Sequence, residues 1–76
     1  MRVDFVSLKA FLVVADTENI REASEQLHLS ISAVSRRIAE LEEEYGQQLF
    51  NRHSRGLEIT PAGRVLLSEH KILLQR

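Results

Sequence analysis

One short interruption constrains this chain more than any other feature. The residues His28-Leu29-Ser30 break a helical pattern in two and force a tight turn between the halves. Before the break, Asn19 precedes Glu22 by the three-residue spacing of a capping box, with Asn in place of the usual Ser or Thr. Ala23 and Leu27 fall on the buried side of that helix, which runs for about two turns. After the break, Ser30 is a natural N-cap. Val34, Ile38, Leu41 and Tyr45 then recur on one side of a longer helix, and Gly46 suits the position just past its end. Two helices joined by a short turn are common, so the segments around them carry the rest of the argument.

Upstream, Asp4 can cap a first helix, where its carboxylate also suits the positive helix end. Leu8, Phe11, Leu12 and Ala15 predict a single apolar stripe on it, and the polar run Asp16-Thr17-Glu18-Asn19 ends it. Downstream, Leu49-Phe50-Asn51-Arg52 and Leu57-Glu58-Ile59-Thr60 flank the turn His53-Ser54-Arg55-Gly56, which predicts a β-hairpin. Thr60-Pro61 starts a last helix: a capping hydroxyl, then proline where its missing N–H costs nothing. The order is helix, helix, helix, hairpin, helix. The expected fold is mainly α, a three-helix core with a short β-hairpin, followed by a C-terminal helix.

Seventy-six residues make one small domain, near the lower limit for a self-sufficient core. The chain has no cysteine, which removes disulfides and thiolate metal sites. Asp4 and Lys9 interrupt the N-terminal apolar stretch, so no signal peptide is expected. No run is long or apolar enough to cross a bilayer, and the expected location is the cytoplasm. His28, His53 and His70 lack metal-ligand spacing; neither a metal nor a cofactor is expected. No nucleophile–base–acid set or phosphate-binding glycine loop stands out, so the chain reads as no enzyme.

A net charge of −1 is low for a nucleic-acid binder, but the charges are unevenly placed. The part up to Ser35 is acidic, whereas Arg36, Arg37, Arg52, Arg55, Arg64, Lys71 and Arg76 follow it. On the third helix, Ser32 and Arg36 lie opposite the apolar side, with Ser35 and Ala39 on the flank. Small side chains permit close approach to a DNA major groove, serine can bond to bases or phosphates, and arginine can bond bidentately to guanine. Glu42, Glu43 and Glu44 come roughly two turns later and would repel phosphates. That polarity makes sense if the N-terminal end of the helix points at DNA and the other end leaves it. Arg55 at the hairpin tip suits a minor groove or a phosphate. Arg52 fits either an ion pair with Glu42 or a phosphate contact. Arg36 and Arg37 also admit a plainer reading as solvated helix residues, for example with Arg36 paired to Glu40.

These stretches together resemble the N-terminal domain of LysR-type transcriptional regulators. The matching residues run from Phe11 to Ala15, from Ala23 to Ser30, and from Ser32 to Ile38. They continue through Leu41-Glu42-Glu43-Glu44-Tyr45-Gly46, Leu49-Phe50-Asn51-Arg52 and Thr60-Pro61-Ala62-Gly63, in order and correctly spaced. The resemblance implies a winged helix-turn-helix over residues 1–60, with the helix-turn-helix at about 20–45 and the wing at about 49–59. Residues 61–76 become a linker helix for dimerisation. Double-stranded DNA carrying an interrupted palindromic operator is the implied partner. The family's contact positions carry over to Ser32, Ser35 and Arg36, and on the wing to Arg55; with Ser30, Ile31, Arg37 and Arg52 they make up the expected DNA-binding set. Where the family often has glutamine, Ile31 offers only an apolar contact, and Glu58 stands where a wing often carries a basic residue. Val65, Leu66, Leu67, Ile72, Leu73 and Leu74 cover more than one face of the last helix, which predicts a homodimer through Val65, Leu66, Ile72 and Leu73. No membrane partner is expected. A small-molecule effector is expected only through a larger C-terminal domain that these residues do not include, so the chain reads as a truncated form or a natural fragment. An alternative is a dimerisation or protein-interaction module that kept the fold and lost operator binding; the acidic balance, Ile31 and Glu58 favour it.

Overall fold

Each helix of the computed structural model begins at a side chain that accepts a hydrogen bond from the amide three residues on. The structure describes the backbone of residues 4–74 and the side chains of residues 4–70. Asp4 opens α1 (Phe5–Thr17), Asn19 opens α2 (Ile20–Leu27), and Ser30 opens α3 (Ile31–Tyr45). Thr60 opens α4 (Pro61–Leu74), its hydroxyl accepting from the Gly63 amide at 3.0 Å. Each cap satisfies an amide that the helix itself cannot. The first three helices stop where one residue turns left-handed: Glu18 at φ 55°, His28 at φ 58° and Gly46 at φ 67°. Histidine adopts this conformation more readily than most side chains. At the α2–α3 turn, the Leu29 amide reaches back to the Ser24 carbonyl at 3.0 Å and closes α2.

Phe11, Val14, Val34, Ile38, Leu41 and Leu49 are the largest fully buried side chains, and they join α1 and α3 to the segment entering the hairpin. The predicted stripe of α3 holds, with Tyr45 half-buried at its edge. The stripe predicted for α1 does not hold in full. Phe11 and Leu12 are buried, but Leu8 and Ala15 are only partly covered, while Ser7, Ala10 and Val14 are buried instead. The reason is that α1 packs against α2, α3 and α4 together, so its buried surface is broader than one stripe and is centred differently.

The hairpin pairs β1 (Phe50–His53) with β2 (Gly56–Ile59) antiparallel, Phe50 opposite Ile59 and His53 opposite Gly56. The first strand therefore starts one residue later than expected, and only Ser54 and Arg55 form the turn. Gly56 has φ +134°, and a Cβ there would lie 3.2 Å from the Glu18 carbonyl, so the wing leans closely on the α1–α2 connection. The Phe50 ring packs on Phe11 with centroids 5.4 Å apart, fixing the base of the wing to the core.

One junction locks α3, the wing and α4. Glu42 accepts from the amides of Leu49 (2.8 Å) and Phe50 (3.2 Å). Thr60 donates its hydroxyl to the Gln48 carbonyl at 2.7 Å, and its amide bonds to the Leu49 carbonyl at 3.0 Å. Gly63 is buried against the segment that enters the hairpin: a Cβ would fall 2.4 Å from the Leu49 carbonyl.

Candidate nucleic-acid interface

The first turns of α3 carry a face built from short side chains and one cation. Ser30 is exposed and committed to its cap: its hydroxyl accepts from the Ala33 amide at 3.1 Å and lies 3.3 Å from the Ser32 hydroxyl. Ile31, Ser32 and Arg36 are exposed, and Ser35 is half-buried between them and the core side. Arg36 is exposed to solvent and makes no ion pair among the described residues, so the pairing with Glu40 does not form. Ser32 and Arg36 share one helical row and Ile31 and Ser35 the adjacent row, giving a narrow surface that offers a hydroxyl, a guanidinium and an aliphatic group together.

Arg37 departs from the set. Its guanidinium lies 3.1 Å from the Asp4 carboxylate and 3.4 Å from the Ser7 hydroxyl, across to the start of α1. Its neighbour Arg36 faces solvent, whereas Arg37, one step (about 100°) round the helix, meets α1. The Asp4 carboxyl is held below its ordinary value of 3.8, first by the Ser7 amide, then by the Ser7 hydroxyl, with Arg37 adding to the effect. In this structure Arg37 is therefore paired with the start of α1 and not turned outward with Arg36.

On the wing, Arg55 is exposed at the two-residue turn. Arg52 is exposed on β1 and makes no ion pair with Glu42, whose carboxylate accepts from the two amides at the strand entry. Glu58 is not a bare acid: its carboxylate lies 2.7 Å from His53 Nε2 across the hairpin. The acidic charge of the wing thus sits beside an imidazole, and Arg52 and Arg55 remain turned outward.

The surface assigned to dimerisation divides. Val65 is 60% exposed and lines a groove of about 460 Å³ with Tyr45, Leu49, Pro61 and Ala62. Leu66 is a correction: it is 3% exposed and packs into the domain's own core, because α4 turns this side toward α1. Ile72 and Leu73 lie outside the described side chains.

Sequence reasoning missed three features: the Glu42 clasp on the strand amides, the Arg37–Asp4 pair and the His53–Glu58 pair. The matched charges were visible, but no local spacing joins residues as far apart as Asp4 and Arg37. Among the described residues, no group of three or more His, Asp or Glu is arranged to hold a metal ion. No helix is long and apolar enough to cross a membrane there.

Two helices crossing at a tight turn, a third behind them and a hairpin beside the second define a winged helix-turn-helix. The family model described as bacterial regulatory helix-turn-helix protein, lysR family, matches residues 5–64, and the chain belongs to that family. An HTH-type transcriptional regulator in the ibpB–leuC intergenic region of Azotobacter vinelandii is 49% identical over 65 residues, which are 86% of this chain and 45% of that protein. HdfR of Yersinia pestis, an HTH-type transcriptional regulator, is 43% identical over 72 residues, covering 95% of this chain and 25% of that one. The chain thus spans a half to a quarter of the length of these relatives. Among solved structures, Vibrio fischeri DarR in complex with DNA superposes with a TM-score of 0.89 at 35% identity, over 99% of this chain and 26% of DarR. A CbnR DBD–DNA complex gives a TM-score of 0.87 at 35% identity, over 95% of this chain and 83% of that one.

Proposed function

We propose that this chain is the operator-reading domain of a cytoplasmic transcription regulator and has no catalytic role. The first two turns of α3 enter the major groove of double-stranded DNA, and the wing grips the flanking backbone or minor groove through Arg55 and Arg52. Ser32, Ser35 and Arg36 contact base edges, while Ser30 holds the helix start against the backbone. The carrying observation is the exposed face of α3, where Arg36 stands without an ion pair among the described residues beside two serines. An arginine left unpaired next to short side chains suits a bidentate guanine contact.

Residues 61–76 act as a linker helix for a homodimer, with Val65 as the described part of its apolar surface. Two copies related by a twofold axis read an interrupted palindrome. A small-molecule effector acts through a separate domain of the parent protein.

A gel shift tests this reading, using the chain and the promoter of a neighbouring, divergently transcribed gene. The expected result is a retarded band that survives competition by unrelated DNA. Absence of any band at low salt overturns the proposal.

A further inference from the structure

Ile31 is the one large apolar side chain that α3 leaves exposed among the described residues, at 45%. It stands at the first helical position, in the same turn as Ser32 and one turn before Ser35. The fold does not need it there. At a helix entry, the apolar residue before the cap packs against the one four positions into the helix. Those residues are Leu29 and Val34, and both belong to the core cluster, Val34 fully buried and Leu29 packed against it. Ile31 lies between them in sequence and points outside that pair. Side chains on a helix tilt toward its N-terminus. An N-terminal residue on the exposed face therefore reaches furthest into whatever that end of the helix approaches.

The edges of base pairs in the major groove are donors and acceptors, with one apolar exception: the methyl group on C5 of thymine. The same position carries a methyl in 5-methylcytosine. Isoleucine has no hydrogen bond to offer and so gains nothing from the other groups. We infer that Ile31 reads the C5-methyl group of one pyrimidine in each half-site, beside the base that Arg36 contacts. The inference rests on the proposed entry of α3 into the major groove. It goes beyond that reading by naming the chemical group that Ile31 selects. It also makes the operator affinity of this chain depend on C5 methylation, whether the methyl belongs to thymine or to a methylated cytosine. The neighbouring hydroxyls of Ser30 and Ser32, 3.3 Å apart and held by the cap, are small enough to let the isoleucine approach the base edge.

The test replaces each thymine of a bound duplex in turn by deoxyuridine, which removes the methyl and nothing else, and reads Kd by fluorescence anisotropy. At the position so identified, cytosine and 5-methylcytosine are then compared. Burying a methyl group is worth roughly fourfold in affinity, so both half-sites together give on the order of tenfold. Tighter binding of the methylated member in either pair, lost in Ile31→Ala, supports the inference. Equal binding within both pairs by a chain that still binds the duplex overturns it. Methyl sensitivity that persists in Ile31→Ala, with its melting transition intact, overturns it as well. A chain that binds no duplex at all refutes the proposed function instead, so the two failures are distinguishable.

Discussion

At its N-terminal end α3 leaves Ile31, Ser32 and Arg36 exposed, while the Ser30 hydroxyl is spent on the cap and the Arg37 guanidinium on Asp4 and Ser7 at the start of α1. At its C-terminal end the same helix commits Glu42 to two backbone amides of the wing and closes on Gly46 in a left-handed turn. A helix that must present one end to a ligand has to be held by the other. The contrast explains why the acids gather late in α3. Their charge is unhelpful near phosphates, and at least Glu42 is useful where strand amides need an acceptor.

The largest expected effect breaks the anchored end. Glu42→Ala orphans the amides of Leu49 and Phe50, which are both buried residues. Unmet buried donors cost about 1–3 kcal/mol each, so a loss of about 2–6 kcal/mol in urea unfolding is expected. Glu42→Gln keeps an acceptor and should recover much of it. If Glu42→Ala unfolds at the wild-type midpoint, the clasp does not anchor the wing.

The presented end should respond in the opposite way. Arg36→Ala should leave the unfolding free energy within about 0.5 kcal/mol of wild type, as expected for an exposed side chain without an ion pair among the described residues. It should weaken binding to the operator by about 1–3 kcal/mol and relax the preference at one base pair. A drop in stability without a change in base preference would reverse the roles of the two ends.

Ser30 belongs to both descriptions, and its variant sharpens the boundary between them. Ser30→Ala removes the acceptor for the Ala33 amide and should cost about 1 kcal/mol of stability, whereas Ser30→Asp keeps the cap. If the hydroxyl also meets the DNA backbone, the aspartate variant folds normally and binds worse. Equal operator binding by Ser30→Asp and wild type would confine Ser30 to capping.

Much of this contrast was legible before any coordinates. Caps are local, so Asp4, Asn19, Ser30 and Thr60 could be found by looking three residues ahead, and each holds the expected helix start. The exposed face of α3 followed from its 3.6-residue period. What could not be found depends on the third dimension. Leu66 looks like its apolar neighbours in the chain, yet it alone among the expected interface residues is shown to turn into the core. Arg37 differs from Arg36 by one step round the helix, and only the placement of α1 decides that one meets a carboxylate and the other solvent. The burial of Ser7 and Ala10 likewise depends on how many neighbours α1 has, which periodicity does not record.

The smallest effect tests the Arg37–Asp4 pair, where the two roles of α3 come closest. The Asp4 carboxyl is held below 3.8 in the folded chain, mainly by the Ser7 amide 2.7 Å away, with Arg37 contributing. A depressed carboxyl stabilises the fold fully above its unfolded value, and that contribution is lost as pH falls through the folded one. Asp4→Asn keeps a good cap, since asparagine ranks with aspartate at that position, but removes the titration. The variant should therefore be slightly less stable than wild type near pH 7 and lose less stability on acidification below about pH 4. It also leaves Arg37 without its carboxylate. If that carboxylate is what keeps Arg37 off the phosphates, the salt dependence of operator binding should steepen by up to about 0.9 in log–log slope for each bound copy, one counterion's worth. An unchanged slope would show that Ser7 and the packing of α1 are enough to hold Arg37 on the fold's side of the helix, and that Arg36 alone supplies the charge at the presented end.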